Sequence, residues 1–154
     1  MYKHNPAAIG NDKYRQGVYE MKNPQKYIGN NPPVYRSSWE YDFMQVCDLN
    51  PAIFQWASEP FPIQYTSPFD MKLHSYWPDF IVRSIQTNGK LKTILYEVKP
   101  RKQTMVEHAK SKRDKMALQL NAAKWQAAHE YAQAQGMDFY VVTEDQLYTK
   151  RRNR

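Results

Sequence analysis

The chain has 154 residues, about one domain, and 42% of them are hydrophobic, so it carries enough apolar side chains to bury a core. Its formal net charge of +7 favours contact with a polyanion such as nucleic acid and says nothing about fold. The single cysteine, Cys47, excludes an internal disulfide and a cysteine-based zinc cluster and fits a reducing cytoplasm, and neither a signal peptide nor a membrane-spanning run of ~18 apolar residues is visible.

Residues 1–33 are predicted to form an extended arm with at most short helical pieces, because they are rich in Asn, Pro, Tyr and Lys and show little periodicity. Basic and aromatic side chains alternate there, which suits contact with phosphates and stacking on bases. The equally weighted alternative is an arm whose tyrosines pack on the domain or on a partner protein. The alternating residues are Lys3, Lys13, Arg15, Lys22, Lys26, Tyr2, Tyr14, Tyr19 and Tyr27.

A helix is predicted from Trp39 to Asp48, where apolar residues recur at helical spacing. Ser37 or Ser38 is expected to cap its N-terminus, and the Asn-Pro pair ending at Pro51 is expected to terminate it. Cys47 lies in this apolar run and is predicted to be a buried thiol.

Four β-like stretches follow the helix. Residues 53–56 and 63–65 are short, whereas residues 76–84 and 93–99 predict longer strands. The Asn-Gly pair at 88–89 between the longer strands is a strong signal for a hairpin turn. The sequence therefore predicts an antiparallel pair at the centre of the domain.

The last third of the chain is predicted to be mostly helical. Residues 103–135 form one helix-rich span that ends at Gly136, a natural C-cap. A buried strand at 139–143, a short helix at 144–148 and a mobile basic tail at 150–154 complete the chain. The element order predicts an α/β (α+β) domain over residues 34–149, in which helices flank a mixed β-sheet.

The hairpin carries the residues from which chemistry is predicted. Glu97 and Lys99 are two apart on one strand and so face the same way, and the neighbouring strand is expected to place Asp79 beside them. Two close carboxylates repel each other and call for a cation, and oxygen ligands suit Mg²⁺. Lys99 is expected to orient or deprotonate the attacking water, or to stabilise the transition state.

This spacing resembles the PD-(D/E)xK nuclease signature, with Asp79 following a proline and Glu97 standing two residues before Lys99. The resemblance implies a restriction-endonuclease-like fold. It also implies a metal ion bound by Asp79, Glu97 and the backbone carbonyl of Val98. Glu40, on the preceding helix, is expected to complete the catalytic set by binding the metal through water.

A longer similarity covers roughly residues 33–145. Over this range the chain resembles the TnsA transposon endonucleases and the head completion nucleases of T4-like tailed phages, and the short length favours the phage group. The segments that carry the resemblance are 34–40, 56–59, 76–80, 96–100 and 123–125.

The similarity to the phage group implies a function. It implies an Mg²⁺-dependent deoxyribonuclease, with Mn²⁺ as a substitute, that acts in phage head completion before heads and tails join. Its expected partners are packaged DNA, without sequence preference, and the portal, connector or other head-completion proteins. Its expected location is the host cytoplasm or the virion, with no membrane involvement.

Alternatives stay open for individual residues. Glu40 also fits a capping box with Ser37, and Glu97 with Lys99 also fits a surface ion pair. Glu59 is expected to be a turn or structural residue, not a metal ligand. Basic side chains after the hairpin are predicted to contact DNA phosphates, against the alternative of an ordinary solvated helix. They are Arg101, Lys102, Lys112, Arg113 and Lys124.

Two other functions also remain open. One is a structural neck protein that binds DNA and the portal and retains a relic of the active site. The other is a TnsA-like cleavage subunit of a transposase. Against the relic, all four catalytic candidates are present in the sequence.

Overall fold

The computed structural model describes residues 16–105 and 108–147, apart from the side chain of Lys102. The main elements in chain order are β1 (Gly17–Val18), β2 (Val34–Tyr35), α1 (Ser38–Leu49), β3 (Ile53–Ser58), β4 (Ile63–Thr66), β5 (Leu73–Tyr76), β6 (Phe80–Ile85), β7 (Leu91–Val98), α2 (Lys112–Ala134) and β8 (Asp138–Val142). Short 3-10 helices at Pro24–Lys26 and Arg101–Thr104 and a helical turn at 144–147 complete this set.

The central sheet has four strands in the order β3-β6-β7-β8. The first three strands are antiparallel, whereas β8 runs parallel to β7 and returns after α2. A parallel neighbour requires a crossover connection, and α2 supplies it. The predicted mixed sheet flanked by helices is confirmed, and the fold is consistent with a restriction-endonuclease-like domain.

Two apolar clusters form where the helices pack against the strands. The first contains α1 residues such as Phe43 and Cys47 against Trp56 and Phe80 of the sheet. The second places Ala128 of α2 and its neighbours over β4, β5 and β7. Cys47 is fully buried, as predicted.

Local signals explain α1 and the hairpin turn. The Ser37 hydroxyl accepts a hydrogen bond from the backbone N–H of Glu40 at 3.1 Å, which caps α1 as expected. Gly89 adopts φ 80°, a left-handed conformation that glycine adopts without steric penalty. Strands β6 and β7 pair antiparallel, so the predicted hairpin is confirmed.

The predicted strand at 76–84 is wrong in one respect. Tyr76 ends β5 in a separate two-stranded sheet, and Phe80 begins β6 in the central sheet. Pro78 lies between them and cannot donate a ladder hydrogen bond, so the chain leaves one sheet before entering the next. Asp79 consequently lies in the connection before β6, not on a strand.

The helix-rich span predicted at 103–135 contains one long helix, α2, which covers only its later part. This helix begins at Lys112, because the Ser111 hydroxyl accepts a hydrogen bond from the N–H of Asp114 at 3.0 Å and forms an N-cap there. Gly136, at φ 73°, follows its end as predicted. The strand predicted at 139–143 is observed one residue earlier, and the predicted basic tail at 150–154 lies outside the described residues.

Residues 16–33 pack against the domain. The fully buried carboxylate of Asp48 accepts hydrogen bonds from the Tyr19 hydroxyl at 2.7 Å and from the backbone N–H groups of Lys22 and Asn23, both at 2.9 Å. Tyr27 packs edge-on against Trp56, with 4.8 Å between ring centroids. Of the two interpretations of the arm, packing on the domain therefore holds for Tyr19 and Tyr27, while residues 1–15 lie outside the described part.

Candidate active site

The carboxylates of Asp79 and Glu97 meet at one end of the central sheet. The Asp79 Oδ2 atom accepts a hydrogen bond from the backbone N–H of Val98 at 2.8 Å, which fixes this side chain against the end of β7. The two carboxyl groups are close enough to influence each other's ionisation, and a hydrogen bond between them would need one of them to carry a proton. Glu97 is only 5% exposed, although most of β7 around it is apolar.

Two further polar groups contact Glu97. The Tyr76 hydroxyl donates a hydrogen bond to Glu97 Oε1 at 3.1 Å. The Lys99 ammonium lies 3.9 Å from Glu97 Oε2, on the same side of the strand, and stays partly exposed. The predicted grouping of Asp79, Glu97 and Lys99 is therefore present in the structure.

Glu40 approaches this pair from the first turn of α1. Besides the N-cap bond already described, the Ser37 hydroxyl donates a hydrogen bond to Glu40 Oε2 at 3.2 Å. Burial and the charge of Asp79 raise the pKa of Glu40 to about 7. The capping interaction and proximity to the site therefore coexist, and Ser37 orients the carboxyl group.

Arg36 and Glu59 form a rim of the site beside Asp79. The Arg36 Nη1 atom lies 2.6 Å from Glu59 Oε1 in a salt bridge. The backbone N–H of Glu59 donates to the carbonyl of Asp79 at 2.8 Å, and Glu59 has φ 46°, which is unusual for a residue with a side chain. The structural role predicted for Glu59 matches this contact.

The carboxyl groups are held in an environment that disfavours their ionisation. Burial, followed by the charge of Asp79, raises the pKa of Glu97 to about 8 and that of Glu59 to about 7. Burial also raises the pKa of Asp79, against the opposing hydrogen bond from Val98. Among the described residues, the four carboxyl groups of the site are accompanied by two cations, Arg36 and Lys99, so the ionised groups named here carry a net charge of −2. The four are Glu40, Glu59, Asp79 and Glu97.

This donor set fits one divalent cation of the Mg²⁺ type. Within the described residues, no three side chains of His, Cys, Asp or Glu converge closely enough to form a complete ligand set. Mg²⁺ is commonly held by one or two carboxylates and keeps other positions for water and substrate phosphate. Asp79 and Glu97 would supply the two carboxylates, and metal binding by them, by the Val98 carbonyl and by Glu40 through water remains a prediction.

The basic residues predicted to bind DNA occupy different surroundings. Arg101 is exposed and lies 3.7 Å from Asp145, so its charge is already partly matched. Lys112 and Arg113 are exposed in the first turn of α2. The side chain of Lys102 is outside the described part. Lys124, on the inner part of α2, contacts the rings of Tyr65 and Tyr76 and lies beside the site.

Two contacts of the site were not predicted from the sequence. Tyr76 was placed on the β6 strand, yet its hydroxyl contacts Glu97 from a separate sheet. The Arg36–Glu59 pair joins residues distant in sequence and has no local pattern. The one available signal was the order Tyr-Trp-Pro-Asp, in which Pro78 interrupts the strand pattern between Tyr76 and Asp79.

Comparison with known proteins decides the family. The family model for the TnsA-like endonuclease N-terminal domain matches residues 50–144, which include Asp79, Glu97 and Lys99. The chain belongs to the TnsA-like endonuclease family. Glu40 lies upstream of the matched range, so its place in the site rests on the structure.

A curated relative supports the same assignment. A head completion nuclease of Enterobacteria phage T4 is 32% identical over 142 residues, covering 85% of this chain and 92% of that relative. The predicted resemblance is confirmed, and both names describe nucleases. No helix of the described residues is long and apolar enough to cross a membrane.

Proposed function

We propose that this nuclease-family protein is an Mg²⁺-dependent deoxyribonuclease of the PD-(D/E)xK type. The proposal rests on one observation: the side chains of Asp79, Glu97 and Lys99 lie together at one end of the sheet, and two of them are buried carboxylates. Burying like charges side by side is unfavourable, so the arrangement requires either shared protons or a cation. We infer that a bound cation compensates these charges when the site is active.

Each residue has a separate task in hydrolysis. Asp79 and Glu97 would hold the cation, which would neutralise phosphate charge and make water more acidic. Lys99 stands next to Glu97 and orients the attacking water or stabilises the charge that develops on the phosphate. Glu40 reaches the site from the first turn of α1 and would bind the cation through water. Water attacks phosphorus and loses a proton, the bond to the 3′ oxygen breaks, and that oxygen takes up a proton, so the products are a 5′-phosphate and a 3′-hydroxyl.

The biological role we propose is phage head completion before head–tail joining. It rests on the likeness to the T4 protein over most of both chains. The substrate would be packaged DNA, bound without sequence preference through basic residues such as Lys112 and Arg113. The portal, connector or other head-completion proteins would be its partners, in the host cytoplasm or on the virion.

Cleavage of supercoiled and linear duplex DNA tests the enzymatic proposal. The wild-type protein is compared in Mg²⁺, in Mn²⁺ and in EDTA with Asp79→Asn and Lys99→Met. Glu130→Gln is the matched control, because Glu130 is an exposed carboxylate on α2 that bonds to Gln126. We expect metal-dependent cleavage that both site variants lose and the control retains.

Other outcomes of this assay have defined meanings. Folded wild-type protein that binds DNA but cuts nothing with either metal would contradict the enzymatic proposal and favour a structural neck protein. Loss of supercoiling identifies endonuclease action, because a closed circular duplex has no ends for an exonuclease.

Complementation tests the biological role separately. A phage whose own head completion nuclease is inactive is supplied with the wild-type chain or with Lys99→Met. We expect only the wild-type chain to restore head–tail joining. Failure of both, with the purified protein active, would contradict head completion and leave the nuclease assignment intact.

A further inference from the structure

Lys124 occupies an unusual setting on α2. Its Nζ atom lies 5.8 Å from the centroid of the Tyr65 ring and 5.9 Å from that of the Tyr76 ring. Both tyrosines are buried, at 7% and 6% exposure, so the two rings form a firm surface beneath the ammonium. In the described part of the chain this ammonium has neither a salt bridge nor a hydrogen bond, whereas Lys99 pairs with Glu97.

The aromatic surface connects Lys124 to the candidate active site. Tyr65 lies on β4 and Tyr76 on β5, and these strands form the two-stranded sheet that packs against α2. The hydroxyl of Tyr76 donates to Glu97, so one side chain separates the Lys124 ammonium from a carboxylate of the site. The separate sheet therefore joins a cation on α2 to the end of β7.

Aromatic faces and carboxylates hold a lysine with different consequences. A carboxylate partner cancels the charge, whereas a ring attracts the ammonium through its quadrupole and leaves the net charge in place. The Lys124 ammonium is thus positioned without being neutralised. Such a fixed, uncompensated cation beside a phosphodiesterase site is suited to a phosphate group of the substrate.

We propose that Lys124, held on Tyr65 and Tyr76, binds a DNA phosphate that neighbours the phosphate being cleaved. The proposal rests on the proposed nuclease function and adds a substrate-binding position to it. Tyr76 has a second task as a positioning residue, because its hydroxyl orients Glu97 while its ring supports Lys124. The alternative is a lysine whose aliphatic stem merely covers aromatic rings.

Salt-dependent DNA binding separates these two roles of Lys124. Affinity for a linear duplex is measured in EDTA, so that no cleavage interferes, for wild type and Lys124→Met. Methionine keeps an unbranched apolar stem over the rings and removes the charge. Lys90→Met is the matched control, because Lys90 lies in the exposed turn at the opposite end of β6 and β7.

Loss of one phosphate contact has a defined signature. Each contact contributes a slope of about −0.9 to the dependence of log affinity on log salt for duplex DNA. The ratio of wild-type to Lys124→Met affinity should therefore grow about 3.5-fold when salt is lowered from 0.2 M to 0.05 M. Lys90→Met should keep the wild-type slope, and thermal melts establish that both variants are folded.

Tyr76→Phe distinguishes the two tasks of the tyrosine. Phenylalanine keeps the ring under Lys124 and removes the hydroxyl bound to Glu97. We expect the salt slope of wild type and a kcat lower by about tenfold, in line with loss of a group that orients a metal ligand. Lys124→Met should show the reverse pattern, a raised KM with little change in kcat.

The outcomes separate this proposal from the nuclease assignment. A wild-type slope for folded Lys124→Met, or an equal loss in Lys90→Met, overturns the phosphate site even if the protein cleaves DNA. A reduced slope confined to Lys124→Met supports the phosphate site even if the protein cleaves nothing.

Discussion

Asp48 and Glu97 are both buried acids, and their surroundings are opposite. Asp48 is 0% exposed and Glu97 is 5% exposed. Burial alone would raise the pKa of Asp48, but the N–H groups of Lys22 and Asn23 and the Tyr19 hydroxyl together lower it. Glu97 has one hydroxyl donor and a lysine at 3.9 Å, and burial with the charge of Asp79 raises its pKa to about 8.

The difference indicates what each acid is for. A carboxylate surrounded by hydrogen-bond donors is satisfied by the fold and serves to hold chain segments together. A buried carboxylate that shares its surroundings with other acids is left to be satisfied by something that binds. Asp48 therefore anchors residues 19–26, whereas Glu97 belongs to a site for a cation and a phosphate.

The largest expected effect is on catalysis. Glu97→Gln should lower the cleavage rate by about 10³-fold, because the variant loses a charged ligand and with it several kcal/mol of transition-state stabilisation. Asp48→Asn should keep most of its activity at temperatures where it remains folded. Initial cleavage rates measured beside thermal melts check both. Equal loss of activity in the two folded variants would remove the functional distinction between the acids.

The next effect is on stability. Asp48→Ala leaves the Tyr19 hydroxyl and the N–H groups of Lys22 and Asn23 without their partner, so the free energy of unfolding should fall by about 3 kcal/mol or more. Denaturant unfolding of wild type and Asp48→Ala measures this difference. Glu97→Gln serves as the comparison, and we expect it to be at least as stable as wild type at pH 8. A destabilised Glu97→Gln protein would contradict the contrast.

Opposite pH dependences sharpen the comparison. Because the pKa of Glu97 is about 8 in the folded chain and 4.5 is its ordinary value, the folded state retains a proton that the unfolded state releases. In EDTA, the contribution of Glu97 to the free energy of unfolding is therefore fully present below pH 4.5 and is lost as pH rises to about 8. Asp48 has a lowered pKa, so its contribution is present above its ordinary value of 3.8 and is lost as pH falls.

Unfolding measurements between pH 3 and 9 test these signs. The difference between wild type and Glu97→Gln isolates Glu97 from the histidines, which titrate in the same range. Mg²⁺ added at pH 8 should raise the melting temperature of wild type more than that of Glu97→Gln, because it binds only the folded site. A wild-type stability that rises between pH 5 and 8 relative to Glu97→Gln would contradict the predicted sign.

The smallest effect concerns Ser37. Ser37→Ala removes the N-cap of α1 and should lower the free energy of unfolding by about 1 kcal/mol. It also removes a donor to Glu40 and should reduce activity only modestly, whereas Glu40→Gln should reduce activity strongly with little loss of stability. Chemical unfolding and cleavage rates measured on the two variants separate capping from chemistry at this position.

Local patterns were sufficient to predict the elements that depend on neighbouring residues. Ser37 marked the start of α1, and the Asn88-Gly89 pair marked the hairpin that brings Glu97 next to the Asp79 connection. The spacing of Glu97 and Lys99 placed both on one side of β7. In each case the cause lies within a few residues of sequence, such as a cap, a left-handed turn or the two-residue period of a strand.

Tertiary contacts decided the features that were missed. Residues 76–84 contain a strand-like pattern, but packing of Tyr76 against α2 assigns it to a second sheet. Residues 103–111 have helical spacing, yet Ser111 caps the helix at Lys112 instead. The position of Lys124 over two rings depends on β4, β5 and α2 together, which no local pattern records.

Glu59 shows what the site demands from the backbone. At φ 46° the residue occupies a left-handed conformation that disfavours side chains other than Asn, Asp and Gly by about 1 kcal/mol or more. Glycine at position 59 would relieve this strain and remove the Arg36–Glu59 salt bridge. A screen for stability without an activity assay would therefore select Glu59→Gly. The variant would have a higher free energy of unfolding, and the rim of its active site would have lost a charge.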